Sequence, residues 1–158
     1  MLEVQPGQEI PCRISTATLY GRVYPTIQAV LLIYSIGEGA SNSTAYVGAC
    51  QGYTDGVLHY PLYYILMDVF RDQNSQSMEK LAQQVKVNNE SFNDTTLCDI
   101  FLDNHDLPRF LNQTKNEVLI RNALIYLMFS DGIPILYYGT EQGFIGNNSN
   151  QTLHLGEP

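Results

Sequence analysis

The chain contains no tryptophan, and charge is scarce: Asp, Glu, Lys and Arg together make up 15% of its 158 residues. Basic residues are rarer still, 8 Lys and Arg against 16 Asp and Glu, for a formal net charge of −8. Phosphate binding needs clustered Lys and Arg, so this balance excludes nucleic acid as a partner. It also excludes an anionic membrane surface. Long hydrophobic runs are missing as well. Runs such as Ala29-Val30-Leu31-Leu32-Ile33-Tyr34 and Ala123 to Phe129 fall far short of the roughly 20 apolar residues that span a bilayer. Three cysteines, Cys12, Cys50 and Cys98, cannot build a disulfide scaffold, though one bridge and one spare thiol would suit an oxidising compartment. The first residues have neither a basic start nor an apolar segment, so no signal peptide is written there.

What is present is a globular composition, with 44% hydrophobic residues. Six Asn residues lie in Asn-x-Ser/Thr sequons: Asn42, Asn89, Asn93, Asn112, Asn147 and Asn150. Ser and Thr are only 19 of the 158 residues, too few to place six sequons by chance. The pattern points to a secreted glycoprotein whose sugars take over the solubilising work that charge does elsewhere.

The chain alternates strand-like and helix-like segments. Ala29 to Gly37 is a short continuous apolar run, as expected of a parallel strand buried on both faces. Ser41 to Asp55 is polar and reads as loop. Gly56 to Tyr60 suits a short strand, and Pro61 suits the first turn of a helix to about Arg71. Met78, Leu81, Ala82 and Val85 recur at helical spacing and predict a helix over 77–87. Leu97 to Leu102 and Ile133 to Tyr138 are further buried-type strands. Between them Glu117 to Ser130 is a helix apolar almost all round, which something must cover on most sides. Strands alternating with helices predict an α/β fold with a parallel sheet.

In such folds reactive side chains gather at the C-terminal ends of strands. Two of these ends carry carboxylates: Glu38 after the first strand and Asp106 after the Leu97 strand. A pair of carboxylates suits glycoside hydrolysis, where one acid donates a proton and the other stabilises an oxocarbenium-like transition state. His59 and His154 have no metal-ligand spacing and read as packing or loop histidines.

Four words in the chain sharpen this reading. Phe101-Leu102-Asp103-Asn104-His105-Asp106-Leu107-Pro108-Arg109-Phe110 closely resembles the Asn-His-Asp segment of the α-amylase family in its secreted fungal form. Ile36-Gly37-Glu38 resembles that family's acid/base segment. Asp55 to Tyr64 looks like the segment between the two, and Gly132 to Gln142 is similar to the eighth barrel strand. The resemblance covers residues 29 to about 148. It implies a partial (β/α)8 TIM barrel, roughly strands five to eight with their helices, occupying residues 29–158. It also implies endo-hydrolysis of α-1,4 bonds in starch, glycogen or maltooligosaccharides with retention of configuration. On this resemblance Glu38 is the proton donor and later the base, Asp106 the transition-state stabiliser, and His105 a hydrogen-bond partner of the sugar. Gly39 lines the floor beside the acid. Cys50 matches a family cysteine, and the resemblance suggests a Cys50–Cys98 bridge.

The resemblance also exposes departures. Residues 1–28 read as a degenerate remnant of the strand-four region. Arg13 fits the family's substrate-binding arginine, but Ser15 stands where the nucleophilic aspartate belongs. A hydroxyl needs its own base, whereas a carboxylate is already ionised. The family carries calcium, and its ligands are not recognisable in Ala17 to Gly21. A complete barrel takes roughly 250 residues, so the first strands and the C-terminal sheet domain are unaccounted for. Two other readings therefore stand beside hydrolysis: a catalytically dead amylase-like protein that binds glucan, and a non-functional fragment of a faulty gene model.

Overall fold

Each short apolar word becomes one strand of a single sheet. The computed structural model describes residues 13–14, 34–71 and 77–146. β1 (Arg13–Ile14), β2 (Ile36–Glu38), β3 (Gly56–Leu58), β4 (Cys98–Phe101) and β5 (Ile133–Ile135) lie side by side in that order. β2 to β5 are parallel, with Ile36 opposite Gly56, Val57 opposite Cys98 and Ile100 opposite Pro134. Parallel neighbours need crossover connections. α1 (Thr44–Cys50) links β2 to β3, and α2 (Tyr60–Phe70) and α3 (Ser77–Ser91) link β3 to β4. A 3-10 turn (Thr95–Leu97) leads into β4, and α4 (Phe110–Gln113) and α5 (Glu117–Phe129) link it to β5. This is the expected α/β arrangement, a section of a (β/α)8 barrel.

The structure differs from the sequence-based expectations in several places. Residues 41–55 are not all loop, because they contain α1. Its start is fixed by Ser43, whose side chain accepts a hydrogen bond from the Tyr46 N–H at 3.4 Å. α3 runs on to Ser91, beyond the predicted stop at Val87. The first predicted strand is confined among the described residues to Ile36–Glu38. β1 runs antiparallel to β2, with Arg13 opposite Glu38, whereas successive barrel strands are parallel. The rest of the 1–28 segment, Ser15 and Ala17 to Gly21 included, lies outside the described residues. α5 begins at Glu117 as expected, and Asn116 caps it, its side chain accepting from the Val118 and Leu119 N–H groups. Only Ala123 and Leu127 of this apolar helix are buried, and Phe129 is 86% exposed. Its outer face is uncovered among the described residues.

The core lies between the helices and the sheet. Leu66 of α2, Ile100 of β4 and Leu127 of α5 are fully buried in one cluster. Burying each such side chain stabilises the fold by roughly 1.5–3 kcal/mol. A second cluster seats α1 by packing Val47 and Cys50 against Val57, Phe92 and Cys98. Gly132, in the turn between α5 and β5, has a φ of +121°, and a Cβ there would lie 2.6 Å from the Cys98 carbonyl. That close, left-handed turn requires glycine.

The Cys50–Cys98 bridge suggested by the resemblance does not form. Cys50 is disulfide-bonded, but Cys98 is a free, buried cysteine. Its Sγ lies 3.7 Å from the Asp94 carbonyl and 4.0 Å from Gln51 Nε2. Burial pushes its thiol up to about 12, so it stays protonated and inert.

His59 takes the structural role expected of it. It is 2% exposed, its Nδ1 accepts from the Leu62 N–H at 3.2 Å as the α2 cap, and its ring lies 4.6 Å from Phe92. Burial pushes its pKa down to about 4. Between pH 6.5 and 4 the unfolded chain therefore binds a proton that the folded chain refuses, and stability falls as pH drops through that window. Asp99, buried on β4 and pushed up to about 6 by burial, acts in the opposite sense over the same range. His59→Asn keeps a cap acceptor and removes the titration. Relative to the parent, urea unfolding of this variant should gain stability as pH drops from 6.5 to 4, leaving only the opposing trends of Asp99 and the likewise raised Asp103. A pH dependence unchanged from the parent chain would contradict the assignment.

Candidate active site

Three strand ends meet at one rim of the sheet. Glu38 is the last residue of β2, Tyr60 follows β3 by two residues, and the Asn104-His105-Asp106 loop begins three residues past β4. All three stand at C-terminal ends of parallel strands, where such folds place their chemistry.

Hydrogen bonds tie these ends together. The Tyr60 hydroxyl donates to Glu38 Oε1 at 3.0 Å. The Asn104 Nδ2 group donates to the same hydroxyl at 3.3 Å, and Asn104 Oδ1 accepts from the Asp106 N–H at 2.9 Å. One unbroken chain therefore runs from Glu38 through Tyr60 and Asn104 to the backbone of Asp106. Burial, and then the nearby negative charge of Glu38 and Asp106, outweighs the Asn104 hydrogen bond and pushes Tyr60 up to about 12. The hydroxyl stays neutral and remains a donor. His105 Nε2 lies 3.4 Å from Asp106 Oδ2, and both side chains are largely exposed.

A buried ion pair holds the Asn-His-Asp loop from below. Asp103 Oδ2 accepts from the Phe110 N–H at 2.9 Å and lies 3.7 Å from Arg109 Nη1, with both side chains nearly inaccessible. Burial pushes the Asp103 carboxyl upward, against the pull of the Phe110 hydrogen bond and the Arg109 charge. Arg109 Nη2 donates to the Tyr138 carbonyl at 2.7 Å, and Nε donates to the Phe144 carbonyl at 3.4 Å. The guanidinium also stacks 4.7 Å above the Tyr137 ring. Arg109 thereby pins the loop after β4 to the loop after β5.

Of the residues singled out from sequence, Glu38, Gly39, His105 and Asp106 come to this one rim. Gly39 is buried, and a Cβ there would meet Tyr46 Cε1 at 3.2 Å and Cys50 Sγ at 3.3 Å, so packing alone restricts the position. The backbone of Arg13 is opposite Glu38. Tyr60 and Arg109 were missed as site residues although both lie inside the quoted words. Tyr60's place at the end of the strand between the two carboxylates was the available signal. Arg109 had none, because the carbonyls it pins lie 29 and 35 residues downstream.

Among the described residues no group of three or more His, Cys, Asp or Glu side chains converges as a metal site. Among them, too, no helix is long and apolar enough to cross a membrane. Asn42, Asn89 and Asn93 are exposed and Asn112 is half-buried, while Asn147 and Asn150 lie outside the described residues.

Comparison with known proteins agrees with this geometry. The family model "Alpha amylase, catalytic domain" matches residues 22–155. Alpha-amylase 2 of Schwanniomyces occidentalis is 38% identical over 135 residues, covering 84% of this chain and 26% of that protein. The alpha-amylase of Saccharomycopsis fibuligera is also 38% identical, over 84% of this chain and 27% of its own length. Among solved structures, an alpha-amylase from Malbranchea cinnamomea superposes with a TM-score of 0.68 at 37% identity, over 74% of this chain and 25% of its own. That of Geobacillus thermoleovorans, complexed with acarbose, gives 0.72 at 28% identity, over 80% and 30%. The chain spans about a quarter of the length of the relatives it matches.

Proposed function

Because the chain belongs to the α-amylase catalytic-domain family, we propose that it supplies the acid and stabiliser half of a retaining α-glucan hydrolase site. The observation that carries this reading is the hydrogen-bonded chain from Glu38 through Tyr60 and Asn104 to Asp106. It couples two carboxylate-bearing strand ends of a family whose relatives are named as amylases. The substrate class is starch, glycogen or maltooligosaccharide. Glu38 protonates the leaving oxygen and then, ionised, activates the incoming water. Asp106 stabilises positive charge that develops at the anomeric carbon, and His105 hydrogen-bonds the sugar beside it. Arg13 and Gly39 are assigned to substrate binding on the family resemblance. Secretion is part of the proposal, supported by the exposed sequons Asn42, Asn89 and Asn93. Calcium is expected for the whole protein on the family resemblance, and its ligands are not recognisable in this chain.

Ser15 favours a second reading, in which the protein binds glucan without cleaving it. Retention passes through a covalent glycosyl-enzyme, and its formation needs an ionised carboxylate on the face opposite the acid. Glu38 cannot fill both roles, because it must be protonated when the bond breaks. With Ser15 at the nucleophile position and the first barrel strands outside it, the 158-residue polypeptide alone is expected to release nothing from a chromogenic maltooligosaccharide above a Glu38→Gln control, whereas cleavage by the whole protein decides between the two readings. Release above that control would show that a working nucleophile is present and that Ser15 is not the limiting residue.

A further inference from the structure

We propose that Tyr60 is a positioning residue for the acid: its hydroxyl fixes the rotamer of Glu38, so that a proton on Oε2 points at the leaving oxygen. This inference rests on the assignment of Glu38 as proton donor and goes beyond it by naming what aims that donor.

The geometry carries it. The Tyr60 hydroxyl has one proton, and it is given to Glu38 Oε1 at 3.0 Å. Its own acceptor lone pair is taken by Asn104 Nδ2 at 3.3 Å. The hydroxyl is thus held from both sides and cannot rotate without losing a bond. The ring is equally fixed. Tyr60 is 2% exposed, with Phe101 edge-on at 5.2 Å and Tyr63 at 6.4 Å. A rigid aromatic therefore holds a flexible carboxyl that has three rotatable bonds. With Oε1 engaged, the transferable proton resides on Oε2. In the step it serves, that proton passes to the glycosidic oxygen as the bond to the anomeric carbon breaks, leaving Glu38 as carboxylate. The same chain delivers the position of the acid to Asn104, and through it to Asp106. The acid is thereby tied to the backbone of the loop that carries Asp106.

Tyr60→Phe keeps the ring and removes only the hydroxyl. In the whole protein, kcat/KM is read on two substrates: a maltooligosaccharide with a sugar leaving group, and a dinitrophenyl maltooligosaccharide whose leaving group needs no protonation. Misaiming the acid should lower the first about tenfold and leave the second within twofold. An equal loss on both would make Tyr60 merely structural and overturn the proposal. Glu38→Gln is run alongside. If it shows no leaving-group dependence, the assignment of Glu38 itself fails; if it does and Tyr60→Phe does not, only the positioning role fails. A second measurement needs no turnover. In the 158-residue chain, the Asn104 side-chain amide resonances should shift in both Tyr60→Phe and Glu38→Gln. Unmoved Asn104 signals would overturn the proposal.

Discussion

Glu38→Gln in the whole protein should lower kcat on starch by about 10²- to 10⁴-fold while glucan binding persists. That is the ordinary contribution of a positioned general acid. An amide of the same shape still accepts the Tyr60 hydrogen bond but has no acidic proton to give. Asp106→Asn should cost about 10²- to 10³-fold, the scale of one preorganised electrostatic group. The two differ in what they spare. The Glu38 variant should recover on a substrate with a dinitrophenyl leaving group, in kcat/KM, because bond cleavage there needs no acid. The Asp106 variant should not, because charge develops at the anomeric carbon whatever departs. Steady-state kinetics on both substrates reads this directly. A loss of less than tenfold for Glu38→Gln, or recovery of Asp106→Asn, would contradict the roles given to them.

The second large effect concerns stability. Arg109→Met in the 158-residue chain should destabilise it by about 3–5 kcal/mol, the cost of breaking a buried pair and stranding one charge. Arg109 and Asp103 are 5% and 3% exposed, so water cannot replace the lost partner. The substitution also removes the donors to the Tyr138 and Phe144 carbonyls. Adding Asp103→Asn should return part of the loss, since the amide oxygen still accepts from the Phe110 N–H and no charge is left behind. Urea unfolding of the two single variants and the double variant closes the cycle. Additive effects would show that the 3.7 Å pair carries no coupling.

The strands and long helices were legible because their signals are local. Continuous apolar words mark strands: all four residues of β4 are buried, whereas β5, read from sequence as a buried-type strand, leaves Ile133 38% exposed among the described residues. The apolar stretch from Glu117 to Ser130 marks a helix, observed as Glu117–Phe129. α1 was not legible, because its polar and small residues, Thr44-Ala45-Tyr46-Val47-Gly48-Ala49-Cys50, show no helical stripe. Its existence depends on the Ser43 cap and on Val47 and Cys50 finding Val57 and Cys98 in the fold. The disulfide suggestion failed for a related reason. Sequence separation says nothing about where a thiol points, and Cys98 turns to Asp94 and Gln51. At the site, the carboxylates could be named because they follow strands in recognisable words. The connection between them could not. Tyr60 lies 22 residues from Glu38 and 44 from Asn104, and only the parallel register of β2, β3 and β4 brings the three together.

The central claim is that Glu38 and Asp106 belong to a retaining α-glucan hydrolase site. The most direct test is the anomeric configuration of the first product, followed by proton NMR as the whole protein acts on a maltooligosaccharide. Retention predicts that the α-anomer signal appears first and the β-anomer grows in later by mutarotation. A β-anomer formed first, or no cleavage at all, would contradict the claim.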